Sequence, residues 1–312
     1  MANLILSFNV VAPLFLCILV GVFLRRIGML DEKTLGEINK LCLKVFLPIY
    51  LFNNIYSTTL DAAFHVGLVA FSILAVFGVF TLSMLIVPAI EPTNARRGVM
   101  IQAIFRSNFA LFGLPVAISL CGAEKAGPTS LLVGLLVPVY NVLAVVTLEI
   151  FRGGKPDVRK ILKGIATNPL IIGSLAGIAC NLTGLELPVF IEKAALDLGK
   201  VATPLSLVAL GGSFIIGNVK SYAKQLTISV TAKLVLFPLI VTSLGVLCGF
   251  RGELLAPILI FSGAPTAVSS FPMAQQMGGD GELAADLVVF TSGLCILTMF
   301  LWIFLYKQLG LL

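Results

Sequence analysis

Charge is scarce in this 312-residue sequence. Asp, Glu, Lys and Arg together make up 12% of it, about half of the roughly 25% found in an ordinary soluble domain. So few charges cannot cover a water-facing surface of that size. Histidine is nearly absent, with His65 alone, which leaves no histidine metal site or catalytic triad to build. The six cysteines (Cys17, Cys42, Cys121, Cys180, Cys248 and Cys295) are far apart, in or beside apolar stretches, with no metal or redox spacing. They read as small buried apolar residues. A nucleophile elbow and a metal-ligand pair are also missing, so an enzyme is not indicated and no cofactor is implied. The N-terminus lacks a basic leader and a small-residue cleavage site, so the first apolar run is expected to be retained. What the chain does have is apolar length: 58% hydrophobic residues and a mean hydropathy of +1.07. The expected class is an all-α polytopic membrane protein.

A spanning helix needs ~20 mostly apolar residues. Ten stretches qualify, roughly 7–26, 35–55, 65–88, 97–121, 127–150, 167–184, 190–216, 224–248, 253–277 and 283–306. The second and seventh contain Glu37, Lys40, Lys44, Asp197 and Lys200 and suit helices shielded by protein rather than lipid. Basic residues of alternate loops fall into two unequal sets. One set holds Arg25, Arg26, Lys33, Arg96, Arg97, Arg152, Lys155, Arg159, Lys160, Lys163, Lys220 and Lys224; the other holds only Lys125, Lys193, Arg251 and Lys307. Cytoplasmic loops collect Lys and Arg, so both termini are expected outside a cell membrane. The same bias accounts for most of the net charge of +6 without nucleic acid.

The chain also repeats itself at an offset of 156. Pro13 falls on Pro169, Gly21 on Gly177, Gly28 on Gly184 and Phe105 on Phe261, while KVFLPIYL at 44–51 falls on KVATPLSL at 200–207. The register slips to 150 where Pro88 meets Pro238. Each half holds five expected helices, and an odd number of crossings forces the two halves to enter the membrane from opposite sides. Inverted-topology repeats of this kind are a secondary-transporter arrangement. The expected units are 1–152, a polar cytoplasmic linker at 153–166, and 167–312.

In such carriers, Gly/Pro-interrupted helices at matching places in both halves mark the binding site. The fourth stretch carries Arg106, Ser107, Asn108, Gly113 and Pro115; its partner, the ninth, carries Gly263, Pro265, Thr266, Ser269, Ser270 and Pro272. Proline removes a backbone donor and clashes with the preceding turn, and bare backbone is tolerated at membrane depth only against protein or a watery cavity. Two such breaks bring half-helix ends together, and exposed N–H ends bind anions. A charge at the bilayer centre costs about 2.5–3.5 kcal/mol even on the lenient insertion scale. Arg106 therefore calls for an acidic partner, for which Glu149 or Asp286 could approach, or for a substrate carboxylate. Lys44 and Lys200 suit local pairing with Glu37 and Asp197, or snorkelling, and Pro48 and Pro204 suit bends. Asn53, Asn54 and Asn141 fit either a cavity wall or helix–helix hydrogen bonds. Asp280, Glu282 and Asp286 read as a solvated helix start rather than a proton relay.

These residues resemble those of the auxin efflux carrier family of permeases, within the bile acid/arsenite/riboflavin transporter superfamily, over nearly the whole chain. Asn108-x4-Gly113-x-Pro115 is similar to the family's first break. Glu149 followed by Arg152-Gly153 resembles its close of the fifth helix, and APTAVSSFPMAQQMGGD at 264–280 its second break. Where the plant carriers place a second proline five residues after the first, this chain has Ser270, and their long cytoplasmic loop has no counterpart. The resemblance implies a scaffold of helices 1, 2, 6 and 7 (about 7–55 and 167–216) and a transport core of helices 3–5 and 8–10 (about 65–150 and 224–306). It also implies broken helices that cross at the prolines, elevator-type movement, homodimers through the scaffold, and carboxylates such as malate or malonate as substrates. The expected function is secondary transport of a small organic anion, a mono- or dicarboxylate such as malate or malonate or an auxin-like acid, at that crossing, with proton or sodium coupling open. A sodium-coupled symporter and an anion channel are the alternatives.

Overall fold

The computed structural model describes residues 2–57, 65–122, 125–153, 158–213 and 220–312, and these are helical apart from turns and one isolated backbone bridge. The helices are α1 (Ala2–Arg26), α2 (Glu32–Leu41), α3 (Leu47–Tyr56), α4 (Val66–Ile90), α5 (Asn94–Phe105), α6 (Phe109–Cys121), α7 (Gly127–Phe151) and α8 (Val158–Thr167). They continue with α9 (Pro169–Thr183), α10 (Val189–Ser213), α11 (Ala223–Thr231), α12 (Phe237–Leu247), α13 (Leu255–Gly263), α14 (Ser270–Gln276) and α15 (Gly281–Gln308). Five helical stretches are long and apolar enough to cross a membrane: Val66–Ile90, Gly127–Phe151, Val189–Ser213, Lys220–Leu247 and Gly281–Gln308. Shorter apolar helices, Pro169–Thr183 and Gly252–Gly263, accompany them. Residues 154–157 of the expected linker and 214–216 of the seventh expected stretch lie outside the described residues.

Two of the helical stretches change register without breaking. A π turn, Cys42–Phe46, joins α2 to α3, and another, Ala232–Leu236, joins α11 to α12. Each is followed by a proline at the second position of the next helix, Pro48 and Pro238. An interior proline cannot donate to the carbonyl four residues back and collides with it; here those carbonyls belong to Lys44 and Leu234. Shifting to five-residue hydrogen bonds, Leu47 N to Cys42 O and Phe237 N to Ala232 O, moves them aside. The Leu234 carbonyl accepts the indole N–H of Trp302 at 3.0 Å. The expected bend at Pro48 is thus a π turn, whereas Pro204 sits inside an unbroken α10.

Around α1, α3, α9 and α10, glycine permits close helix crossing. α1 packs chiefly on α10 and α3 on α9. A β-carbon on Gly21 would strike the Val208 carbonyl, and one on Gly177 would lie 2.8 Å from the Phe52 carbonyl. Moving either contact by 156 positions gives the other. Gly28 and Gly184, also 156 apart, both turn the chain with positive φ, at 78° and 63°, a region costly for residues with a β-carbon.

Similar hydropathy leads to different places. Only 17% of the most apolar window of α4 is buried, against 72% for α7, so α7 is the central helix and α4 an outer one. At the foot of α4 the buried Glu91 carboxylate accepts from Gln225 Nε2 at 2.7 Å and from Thr93 N at 3.0 Å. Burial alone would raise this carboxyl; those two donors and nearby Arg96 outweigh it and hold it below the usual carboxylate range.

Candidate functional site

Among the described residues, the fourth and ninth of the expected apolar stretches are the broken ones. α5 ends at Phe105, and Arg106, Ser107 and Asn108 run extended or irregular before α6 begins. α13 ends at Gly263, and residues 264–269 separate it from α14. The two gaps pair with each other. Ser107 and Thr266 form an antiparallel bridge, and Asn108 N donates to Pro265 O at 2.8 Å. Thr266 Oγ1 donates to Ala103 O at 2.9 Å, Ser107 Oγ to Ala264 O at 3.4 Å, and Gln102 Nε2 to Ser270 O at 3.1 Å. Each break thus satisfies backbone groups exposed by the other, as the low-dielectric interior requires.

The first break differs from expectation in position. It precedes Gly113 and Pro115, which lie inside α6. Gly113 serves packing instead: a β-carbon there would approach Val133 Cγ2 of α7 to 2.9 Å. Extended backbone at 106–108 carries no local proline or glycine signal beyond Asn108 as a helix-start residue, because pairing with 265–266 imposes it. Pro272, in the first turn of α14, breaks nothing, since N–H groups there have no helical partner anyway.

Arg106 lies in the middle of this crossing and is 2% exposed. Its Nη2 donates to Asn141 Oδ1 at 2.6 Å and Ser269 Oγ at 2.8 Å; its Nη1 contacts Met273 Sδ at 2.8 Å and Gln102 Oε1 at 3.4 Å. All four partners are neutral. Glu149 pairs with Arg152 at 3.1 Å, and Asp286, buried on α15 with Oδ2 unpartnered, makes no ion pair with Arg106. Among the described residues this guanidinium has no carboxylate within ion-pair distance.

A cavity of about 40 Å³ opens beside it. Its walls are Leu47, Tyr50 and Leu51 of α3, Arg106, Ser107 and Asn108 of the first break, Val137, Tyr140 and Asn141 of α7, and Ala267 and Ser269 of the second break. Asn108 Nδ2, Asn141 Nδ2 and Tyr140 Oη are buried without a hydrogen-bond partner. A buried polar group left unpaired costs about 1–3 kcal/mol; three on one small cavity, beside an unpaired cation, make a wall short of acceptors. A water occupies about 30 Å³ of liquid, so the cavity has room for one or two, and an organic acid enters only if α3 and the crossing part.

Of the residues picked from sequence, Arg106, Ser107, Asn108, Asn141 and Ser269 share this cavity. Pro265, Thr266 and Gly263 belong to the crossing behind it, Ser270 starts α14 with its hydroxyl buried, and Gly113 and Pro115 are in α6. Asn54 is on α3, one turn beyond the wall residue Tyr50. Sequence reasoning passed over Tyr50 and Tyr140, although Tyr50 lies within the repeated octapeptide. It also passed over Lys233 of the second π turn, which is 0% exposed. Lys200 pairs with Asp197 at 3.0 Å, while Glu37 pairs with Lys40 at 3.5 Å rather than with Lys44. Asp280 caps α15 through Leu283 N and pairs with Arg96 at 3.3 Å.

Comparison with known proteins finds membrane transporters. The family described as "Membrane transport protein" matches residues 6–303. A protein of Rhizobium meliloti (strain 1021) named "Putative malonate transporter" is 22% identical over 302 residues, covering 93% of this chain and 93% of its own. An "Uncharacterized transporter" of Methanothermobacter thermautotrophicus (strain Delta H) is 21% identical over 303 residues, covering 95% and 97%.

Proposed function

This chain belongs to the membrane transport protein family, and from that premise we propose that it is a secondary carrier of a small organic anion, a mono- or dicarboxylate of the malonate kind. One observation carries the proposal. Arg106 is buried beside a cavity, unpaired by any carboxylate among the described residues, and three unpartnered donors face the same space. Burying a charge without a counter-charge is expensive; a substrate carboxylate provides the counter-charge, and the planar guanidinium accepts it with two parallel hydrogen bonds. The relative named for malonate gives the size and charge of a first substrate to try.

Movement is alternating access between two bodies. α1, α2, α3, α9 and α10 form the scaffold, and the helices of 65–150 and 224–306 form the core that carries the crossing. The equivalent contacts Gly21–Val208 and Gly177–Phe52 support inverted repeats in the scaffold. The cavity's single scaffold wall, α3, supports a site opened by relative sliding. The termini face outward on the loop-charge bias.

The test is uptake of radiolabelled malonate and related acids into proteoliposomes. Saturable uptake that Arg106→Gln abolishes, with the variant's folding verified, is expected. Unchanged uptake by Arg106→Gln removes the site, and ohmic single-channel currents remove the carrier.

A further inference from the structure

A second cation is buried in the core, and the anion cavity does not use it. Lys233 is fully buried and is not among the residues that line that cavity. Its Nζ lies 3.4 Å from the Ser262 carbonyl and 4.6 Å from the centre of the Phe237 ring. Among the described residues no carboxylate is within ion-pair distance of it.

The carbonyl it meets is one that the second break leaves open. In the last turn of α13, Ile260 O accepts Ala264 N at 2.9 Å, as a helix should. Phe261 O gets nothing from the following turn, because Pro265 has no N–H. Ser262 O loses Thr266 N, which turns to Thr291 Oγ1 at 3.2 Å, and Lys233 takes its place. Gly263 O accepts the Cys295 thiol at 3.6 Å. The open end of a helix carries partial negative charge. In carriers built on discontinuous helices, half-helix carbonyl ends are where coupling cations are coordinated. Here that place holds a cation already attached to the chain. One long hydrogen bond and one aromatic face serve an ammonium with three donors, and the π turn that Pro238 requires is what carries Lys233 inward while Val235 and Leu236 stay exposed.

We propose that Lys233 is a tethered counter-cation: its ammonium occupies the carbonyl end of α13, so that anion binding at the crossing requires no sodium. Lys233 acts through the backbone of the second break, which positions Ser269 against Arg106, and is a positioning residue rather than a substrate contact. The proposal rests on the carrier reading above.

The experiment compares the wild type, Lys233→Ala and the apolar near-isostere Lys233→Met in choline, sodium and methylammonium chloride. Two readouts are taken: malonate uptake into proteoliposomes and the melting midpoint of the purified protein without substrate. Wild type is expected to transport and melt identically in sodium and choline. In choline, Lys233→Ala is expected to lose uptake by at least about tenfold, the worth of one hydrogen bond to a charged group. Methylammonium or sodium, bound in the vacated space, should restore its uptake and raise its melting midpoint saturably. Lys233→Met, with that space filled, should lose uptake and recover in neither salt. Sodium-dependent wild-type uptake, wild-type rates in Lys233→Met, or a Lys233→Ala midpoint indifferent to both cations overturns the proposal. If wild type takes up no malonate at all, the substrate reading fails, and the substrate-free melting curves still decide the role of Lys233. If neither variant folds, the wild-type comparison of sodium with choline decides it.

Discussion

In the first break the cation is part of the break: Arg106 follows the end of α5 directly and aims its guanidinium at the cavity. In the second break the cation comes from a neighbouring element: Lys233 reaches the carbonyl end of α13 from the π turn before α12, away from the cavity. The carbonyl end of α5 is served by a neutral group, the Thr266 hydroxyl on Ala103 O. The two breaks cross at one point and divide the work there. In the proposed carrier the first presents a side chain to the solute, and the second has a helix end closed by a lysine from outside it.

If that division holds, substitutions at the Arg106 guanidinium and its partners should cost transport and spare stability, whereas one that only removes a tie between the two breaks should cost stability and spare anion affinity. The largest effect belongs to Arg106→Gln, expected to lower uptake about a hundredfold or more, since losing one member of a buried charge pair costs about 2–5 kcal/mol. Equal uptake by this variant would erase the distinction. Asn141→Ala removes a partner that orients Arg106 and one unpartnered donor; about a tenfold rise in the half-saturating anion concentration is expected, with the melting midpoint little changed. Thr266→Val keeps the shape of the second break but deletes the hydroxyl donated to Ala103 O. It should cost about 1 kcal/mol of stability, read as a lower melting midpoint, with the half-saturating concentration preserved. Smallest is a control remote from both breaks. Glu91→Gln should lower the melting midpoint slightly at neutral pH, with no change in uptake. Because Glu91's carboxyl is held below its unfolded value, its contribution is complete above that value and disappears as the pH falls through the lowered one. Wild type and Glu91→Gln should therefore converge in acid, and a gap that widens there would reverse the sign.

Hydropathy was enough to locate the helical stretches, because a run of apolar residues long enough to cross a bilayer has few other homes. The second break was legible too, since Pro265 removes a donor that nothing else in the helix replaces. The first was not, and Gly113 and Pro115 pointed five and seven residues past its end; the extended path at 106–108 is bought by hydrogen bonds to residues over 150 positions away. Arg106 stood out as a charge in an apolar run, whereas Lys233 is as isolated in sequence and went unremarked. Its hydrogen-bond partner is a backbone carbonyl of α13, Ser262 O, to which no residue type draws attention. Tyr50 and Tyr140 look like ordinary amphipathic residues until their shared cavity is seen. The π turns likewise follow from prolines whose effect, bend or register shift, depends on what accepts the displaced carbonyl.

Nature has left a lamp beside that second cation. Trp302 is the chain's single tryptophan, and its indole N–H is bound to the Leu234 carbonyl, next along the chain from Lys233. Indole emission depends on the polarity and hydrogen bonding around the ring. The unmodified protein therefore carries its own optical reporter, and the filling, emptying or shifting of the Lys233 neighbourhood can be followed by intrinsic fluorescence, without a label and without a substrate.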